Sequence, residues 1–223
     1  MTSIQELVDL ELGKKEERIR SGKFSPSLLG SCYRRQWWNR ANEPQTNPPD
    51  ERSKRIFACG NLFHDFVQSV ITKNNKDIEI EKLVETEDFK GFADIVNGEE
   101  VIDLKSQHSK SFWYMQGKTK EEIGKEKFNN FMQCAFYAVQ LKKPLIRLVF
   151  ISKDDLCIQE YPDEVYPYWA GLLDEEITKL QWYWKGKTLP PAEPRLYPQK
   201  DGSYKECQFC SWRTKCGEDN VKS

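Results

Sequence analysis

The sequence predicts one mixed α/β domain in which helices flank a β-sheet. Hydrophobic periodicity gives the element order α-α-α-β-β-β-α-β-β-α along the chain. Asn97-Gly98 separates two strand-like segments, as expected for the turn of a β-hairpin. The aromatic share of 13%, with 7 Trp and 12 Phe, is typical of a packed core and excludes a disordered chain.

Each helix prediction rests on an amphipathic or apolar pattern with the period of an α-helix. The second helix is predicted to begin at Ser25-Pro26, because serine caps helices and proline fits the first turn. The predicted helices cover residues 3–20, 25–40, 55–73, 127–141 and 163–185. The proline-rich segment 42–51 and the polar segment 107–127 are predicted to be loops.

The strand predictions rest on short runs of apolar and β-branched residues that are bounded by turn signals. They cover residues 78–85, 89–96, 101–106, 145–152 and 156–161. The last two runs are expected to form a second hairpin, and the long helix 127–141 separates them from the first. Five strands in two hairpin groups therefore complete the predicted core.

Composition restricts the classes of function. The chain has 34 Lys and Arg against 35 Asp and Glu, so its formal net charge is −1 and any nucleic-acid binding must come from local basic patches. No apolar run approaches the roughly 20 residues of a membrane-spanning helix. The charged N-terminus does not resemble a secretory signal. We therefore expect a cytoplasmic protein with no membrane partner.

The most informative segment is the hairpin GFADIVNGEEVIDLKS. A two-residue turn at Asn97-Gly98 would place Asp94 opposite Val101, whereas a four-residue turn would place it opposite Asp103. Strand alternation sends Asp94, Asp103 and Lys105 to one face of the sheet in either register. Two carboxylates suit Mg²⁺ or Mn²⁺, and a lysine beside them can neutralise charge on a phosphate that is being cleaved. The hairpin thus predicts metal-assisted phosphodiester hydrolysis, and an ordinary charged surface hairpin is the alternative.

Two predicted helices offer further polar side chains. His64 lies in the pattern G-x-x-x-H and can supply a nitrogen ligand to the same metal. Gln133 and Tyr137 are four residues apart and share one helix face, where they can hold a phosphate or a water molecule. Each of these features is also compatible with ordinary packing.

Cys207, Cys210 and Cys216 form the pattern C-x2-C-x5-C near the C-terminus. Seven cysteines, an odd number, in a chain without an export signal argue against a disulfide scaffold and favour ligation of a metal or cluster. A metal or cluster site that has three thiolates needs a fourth ligand. Both zinc and an iron–sulfur cluster accept four thiolates, so the cysteine pattern alone leaves both open.

A basic and aromatic segment lies within the predicted second helix. Its side chains combine guanidinium groups, which bind phosphates, with indole rings, on which single-stranded bases stack. The predicted DNA-binding residues are Arg34, Arg35, Trp37, Trp38 and Arg40.

Taken in order, these elements resemble the RecB-like branch of the PD-(D/E)XK nucleases. The resemblance runs from about residue 25 to 217 and is closest to the iron–sulfur members, which are the CRISPR-associated Cas-four exonuclease family and AddB-type nuclease domains. The matching motifs are Cys32, G-x-x-x-His64, G-F-A-Asp94, Asp103-L-Lys105, Gln133-x-x-x-Tyr137 and Cys207-x2-Cys210-x5-Cys216. The chain has Asp103 where many Cas-four sequences have Glu, and Trp37-Trp38 where smaller aromatic residues are common.

The resemblance implies a restriction-endonuclease-like mixed sheet flanked by helices. It implies that Mn²⁺ or Mg²⁺ is held by His64, Asp94, Asp103 and the carbonyl of Leu104, that Lys105 is the catalytic lysine, and that Gln133 and Tyr137 support the active site. It also nominates Cys32 as the fourth ligand of an iron–sulfur cluster of the 4Fe-4S type, which would tie the N-terminal region to the C-terminal region.

The implied organisation is one nuclease domain over residues 1–223. Its parts are an N-terminal helical part with Cys32 (1–55), the nuclease core (56–186) and the C-terminal cysteine region (187–223). The implied activity is that of a DNA exonuclease on single strands or ends, in CRISPR spacer processing or in phage or repair recombination. The implied partners are DNA, CRISPR integrase proteins or a separate helicase, and a homo-oligomer.

Two alternatives predict other classes of protein. A cluster-bearing DNA-binding module would keep the basic and aromatic residues without catalysis. A zinc-stabilised interaction protein would have neither nuclease activity nor an iron–sulfur cluster. The intact set of Asp94, Asp103 and Lys105 favours the nuclease over both.

Overall fold

A computed structural model describes residues 3–14 and 21–221 of the chain. Its centre is a five-stranded sheet with the spatial order β1-β2-β3-β4-β5. The strands β3 and β4 are parallel, and the other neighbours are antiparallel. The strand bounds are β1 (Ile78–Glu85), β2 (Lys90–Asn97), β3 (Glu100–Gln107), β4 (Leu145–Ser152) and β5 (Ile158–Glu164). All five predicted strands are confirmed to within a few residues.

Helices cover both faces of this sheet. Their bounds are α1 (Ile4–Gly13), α2 (Tyr33–Arg40), α3 (Glu51–Asn74), α4 (Ser109–Met115), α5 (Lys120–Glu126), α6 (Phe128–Gln140), α7 (Tyr168–Lys185), α8 (Lys205–Gln208) and α9 (Arg213–Val221). The parallel pairing of β3 with β4 needs a long crossover, which α4, α5 and α6 provide. Within the described residues, no helix combines the length and apolar character needed to cross a bilayer.

Side chains that alternate along the strands divide the apolar residues of the sheet between two hydrophobic cores. Val96 and Val101 belong to the large core that contains α6 and α7. Ile95 and Leu104 belong to a smaller core, against which Phe63 of α3 packs. The two cores lie on opposite faces of the sheet, because neighbouring residues of a strand point in opposite directions.

The predicted helix 25–40 is confirmed only from Tyr33 to Arg40, because the chain forms two separate elements there. A 3₁₀ turn covers Pro26–Leu28, and α2 begins only at Tyr33. Gly30 between them has φ +80°, and a Cβ at this position would lie 2.9 Å from Cδ1 of Phe128. A left-handed residue in such close contact interrupts any helix.

The predicted loop 107–127 is wrong, since it contains α4 and α5. Thr119 and Glu122 form a capping box at the start of α5. The buried side chains of Phe112, Met115 and Ile123 anchor the two helices in the core. Of the predicted helix 3–20, α1 confirms the first part, and residues 15–20 lie outside the described residues.

Glu176 of α7 connects the two ends of the chain although its side chain is buried. Its carboxylate accepts hydrogen bonds from the Gly30 amide at 3.0 Å, the Tyr33 hydroxyl at 2.9 Å and the Gln36 amide group at 3.1 Å. The guanidinium of Arg195 lies 2.7 Å from the same carboxylate. Both the segment around Cys32 and the segment before the cysteine motif are thereby fixed to α7.

We predict that Glu176→Ala lowers the free energy of unfolding by about 3 kcal/mol, because it leaves Arg195 and three further donors without their partner. Urea denaturation of the variant and the wild type measures this loss. Glu175→Ala is the control, since Glu175 is the exposed neighbour on the same helix. Equal stability of the two variants would contradict the role assigned to Glu176.

Candidate active site

The hairpin of β2 and β3 places the two aspartates side by side. Its closing pair is Asn97 with Glu100, so the turn consists of residues 98 and 99. Gly98 has φ +49°, which favours glycine in such a turn. Continuing this register puts Asp94 opposite Asp103, which is one of the two registers predicted from the sequence.

The Asp94 carboxylate is oriented by the neighbouring strand. Its Oδ2 accepts a hydrogen bond of 2.8 Å from the Leu104 amide. The same oxygen lies 3.9 Å from Nδ1 of His64 on α3. One turn before His64, α3 passes close to β3, where a Cβ at Gly60 would lie 3.7 Å from the Ser106 hydroxyl, an ordinary contact distance.

Asp103 is the unusual residue of the site, because it is only 2% exposed and its carboxylate has a single close partner. Lys105 Nζ lies 2.7 Å from Oδ2. Neither carboxylate oxygen accepts a hydrogen bond of regular geometry from the described residues. Burial raises the pKa of Asp103 to about 7; Lys105 opposes this shift, and the negative charge of Asp94 adds to it.

Lys105 differs from its partner in exposure. Its side chain is 28% exposed, whereas that of Asp103 is 2% exposed. Burial lowers the pKa of Lys105, but the charges of Asp103 and Asp94 outweigh this effect and the net shift is upward. Lys105 therefore stays protonated at neutral pH.

Gln133 and Tyr137 of α6 approach the aspartates from the core. Tyr137 is 3% exposed, and its hydroxyl lies next to the Gln133 side chain and the backbone of Phe92. Burial raises the pKa of Tyr137, and the charges of Asp103 and Asp94 raise it further. The hydroxyl also packs on Gly91, where a Cβ would collide with it.

Two residues that adjoin the aspartates were not predicted from the sequence. Gln68 is buried on α3 and donates a hydrogen bond of 3.2 Å to the Asp94 carbonyl and one of 2.9 Å to the Glu81 carboxylate. Glu81 has φ +48° and interrupts the pairing of β1 with β2 at the level of Asp94. The sequence feature that could have indicated Gln68 is its position, one helical turn after His64.

The four cysteines of the predicted cluster line one cavity of about 180 Å³. Burial raises the pKa of Cys207, and the charges of Glu206 and the other three cysteines raise it further. The Cys32 amide donates a hydrogen bond of 2.6 Å to the Glu206 carboxylate, which also accepts the Leu196 amide at 3.0 Å. Glu206 thereby holds Cys32 next to the C-terminal motif.

Across residues 3–14 and 21–221, the described His, Cys, Asp and Glu side chains form no group of three that could hold a metal ion as they stand. This applies to the aspartate site and to the cysteine cavity.

Three of the five residues predicted to bind DNA pack against the core. Trp38 and Arg40 are 2% and 8% exposed, and Trp37 packs against Trp184 with 5.6 Å between ring centroids. The Arg40 guanidinium lies 2.7 Å from the Asp88 carboxylate and 4.2 Å from the Trp184 ring centroid. These side chains pack in the core through ring contacts and one ion pair, although Nε1 of Trp37 and Nε of Arg40 are buried without a hydrogen-bond partner among the described residues.

The other two residues predicted to bind DNA lie at the cysteine cavity. Arg34 and Arg35 both line it. The Arg34 guanidinium donates a hydrogen bond of 2.7 Å to the Pro190 carbonyl and lies 5.7 Å from the Trp38 ring centroid.

Comparison with known proteins shows a shared fold. No family model and no curated protein matches the chain. The crystal structure of SSO0001 superposes with a TM-score of 0.60 at 17% identity, and the match covers 96% of each chain. An alkaline exonuclease (LHK-Exo) from Laribacter hongkongensis gives a TM-score of 0.46 at 12% identity, over 75% of this chain and 94% of that one. LHK-Exo in complex with dAMP gives 0.47 at 13% identity over the same shares.

The stability of the metal-free protein is expected to fall as the pH rises from about 4 to about 7. The pKa of Asp103 is about 7 in the folded chain against an ordinary value of 3.8, so the folded state binds the additional proton between these limits. Urea denaturation in EDTA across this range measures the slope.

Asp103→Asn cannot titrate and should flatten this pH dependence, whereas Asp154→Asn at an exposed position should leave it unchanged. The same slope in the wild type and in Asp103→Asn would show that another group causes it.

Proposed function

We propose that the protein is a metal-dependent deoxyribonuclease that hydrolyses phosphodiester bonds in single-stranded DNA or at DNA ends. The observation that carries the proposal is the Asp103 carboxylate, which is buried, faces Asp94 and has Lys105 as its one close partner. A buried carboxylate is costly without compensating partners. A divalent cation would compensate it in a way that simple packing does not.

The chemical types of the donors suit a hard divalent ion, although the described side chains form no metal-binding group as they stand. His64, Asp94, Asp103 and the Leu104 carbonyl would hold Mn²⁺ or Mg²⁺, and the unfilled oxygens of Asp103 are the feature that such an ion would use. When bound, the ion would polarise the phosphoryl group and make water a better nucleophile.

The chain's own residues supply the remaining chemistry. Lys105 keeps its proton, is partly exposed, and in this proposal stabilises the negative charge that develops on the phosphate oxygens. The Leu104 amide and Gln68 fix Asp94 from two sides. Gln133 and Tyr137 support the aspartates from α6 and exclude water from that side.

We further propose that Cys32, Cys207, Cys210 and Cys216 hold an iron–sulfur cluster of the 4Fe-4S type. Support comes from their common cavity and from Glu206, which anchors both ends of this ligand set. Zinc is the alternative occupant of this site, since four thiolates bind either zinc or an iron–sulfur cluster. The proposed setting is CRISPR spacer processing or phage or repair recombination, with DNA, CRISPR integrase proteins or a separate helicase as partners.

Lys105→Ala is expected to lower the rate of Mn²⁺-dependent cleavage of labelled single-stranded DNA by about 10²- to 10³-fold. Asp103→Ala is expected to abolish it, because a ligand of the ion is removed. Asp154→Ala, at an exposed position on the loop after β4, is the matched control and should cleave normally. Full activity of a folded Asp103→Ala protein would refute the assignment.

Anaerobically purified protein is expected to contain iron and acid-labile sulfide, and Cys32→Ala should lose most of both. Metal analysis by mass spectrometry and a sulfide assay measure this. Cys157→Ala is the control, since Cys157 lies at the start of the β5 hairpin, away from the cavity. Stoichiometric zinc without sulfide would replace the cluster by a zinc site and leave the nuclease proposal intact.

A further inference from the structure

A second cavity of about 550 Å³ adjoins the cysteine cavity. One wall is the first two turns of α3, the other is the segment 208–213, and residues 47–49 line it between them. Asn47 joins the segment 47–49 to the second wall, because its amide donates to the Ser211 carbonyl at 2.8 Å and its side chain accepts the Thr214 amide at 2.8 Å. We call this feature the α3 groove.

Each wall of the α3 groove contributes one exposed phenyl ring and one exposed guanidinium group. Phe57 is 58% exposed on the α3 wall, and Phe209 is 76% exposed on the other. Arg52 and Arg213 accompany them. Exposed aromatic rings that face one cavity mark a binding surface, because they remain in unfavourable contact with water.

The charge of the α3 groove favours an anionic ligand. Its lining has the two guanidinium groups and one carboxylate, Asp50. That carboxylate caps α3 by accepting the Ser53 amide at 2.8 Å, so its hydrogen-bonding capacity is partly used within the helix.

The α3 groove is also aligned with the candidate active site. Phe57 and His64 are seven residues apart on α3, which places them on the same face of the helix and about 10 Å apart along its axis. Gly60 lies between them and presents no side chain along this path. A strand that leaves the groove along α3 would therefore reach His64.

We propose that the α3 groove binds single-stranded nucleic acid and directs it to the site around His64. Unpaired bases stack on Phe57 and Phe209, and Arg52 and Arg213 contact the phosphates. Duplex DNA does not fit this arrangement, since its bases are stacked on one another and expose no free face to a phenyl ring. The inference rests on the proposed nuclease function for its substrate class.

The test measures the binding of fluorescein-labelled oligo-dT and of a duplex of equal length by fluorescence anisotropy, with EDTA present to prevent cleavage. Phe57→Ala and Phe209→Ala should each weaken binding of the single strand about tenfold and leave duplex binding unchanged. Trp182→Ala is the matched control, because Trp182 is 64% exposed on α7, outside the groove. Arg213→Gln should reduce the salt dependence of single-strand binding by about 0.7 in its logarithmic slope.

Wild-type affinity in both phenylalanine variants would overturn the proposal. So would a change in their oligomeric state by light scattering without a change in DNA affinity, since the α3 groove would then be an interface between copies of the chain. The result for Phe209→Ala counts only if its metal content is unchanged, because Phe209 lies within the cysteine motif. Phe57→Ala is an independent check, because Phe57 lies outside that motif.

Cleavage assays separate this proposal from the nuclease assignment. With Mn²⁺, the phenylalanine variants should raise KM about tenfold and keep kcat, because they bind substrate away from the reacting atoms. A wild-type protein that binds through the α3 groove but cleaves nothing would refute the nuclease and retain the groove. Normal cleavage with unaltered KM in both variants would refute binding in the α3 groove and retain the nuclease.

Discussion

The arrangement of the chain depends on a buried carboxylate whose hydrogen-bonding capacity is filled by donors from distant segments. Glu176 accepts hydrogen bonds from Gly30, Tyr33 and Gln36 and pairs with Arg195, so its burial is compensated from both ends of the chain. A bare carboxylate in such a position would destabilise the fold. Because these partners lie far apart in sequence, satisfying this one group determines where the N-terminal and C-terminal segments lie.

Three carboxylates of the described chain are almost fully buried, and comparison of their partners separates structure from chemistry. Glu176 and Glu206 are 3% and 4% exposed and accept several hydrogen bonds each. Asp103 is 2% exposed and has Lys105 alone close by. A group that is equally buried but less well satisfied requires a further reason for its position. This contrast, more than the presence of an Asp and a Lys in sequence, is what favours a metal ligand at residue 103.

The sequence predicted the strands and the faces of the first hairpin because alternation and turn chemistry are local properties. It did not predict that α2 begins at Tyr33, because the left-handed Gly30 is required by its contact with Phe128, about a hundred residues away. It also did not indicate that Arg40 is buried. A guanidinium group is normally exposed, and only the tertiary pairing with Asp88 and Trp184 explains its burial. The residues of the candidate site could thus be predicted from sequence motifs, whereas the supporting residue Gln68 could not.

The helix α3 sets a fixed distance between the α3 groove and the candidate active site. Its first turns face the cysteine segment, and its middle turns carry His64 and Gln68, which adjoin Asp94. An α-helix changes its length very little, so a displacement of the cysteine segment would alter the width of the α3 groove without moving His64 relative to Asp94. A group bound in the cysteine cavity would in this way influence the α3 groove through structure alone. Electron transfer is not needed to explain why the cysteine cavity adjoins the α3 groove.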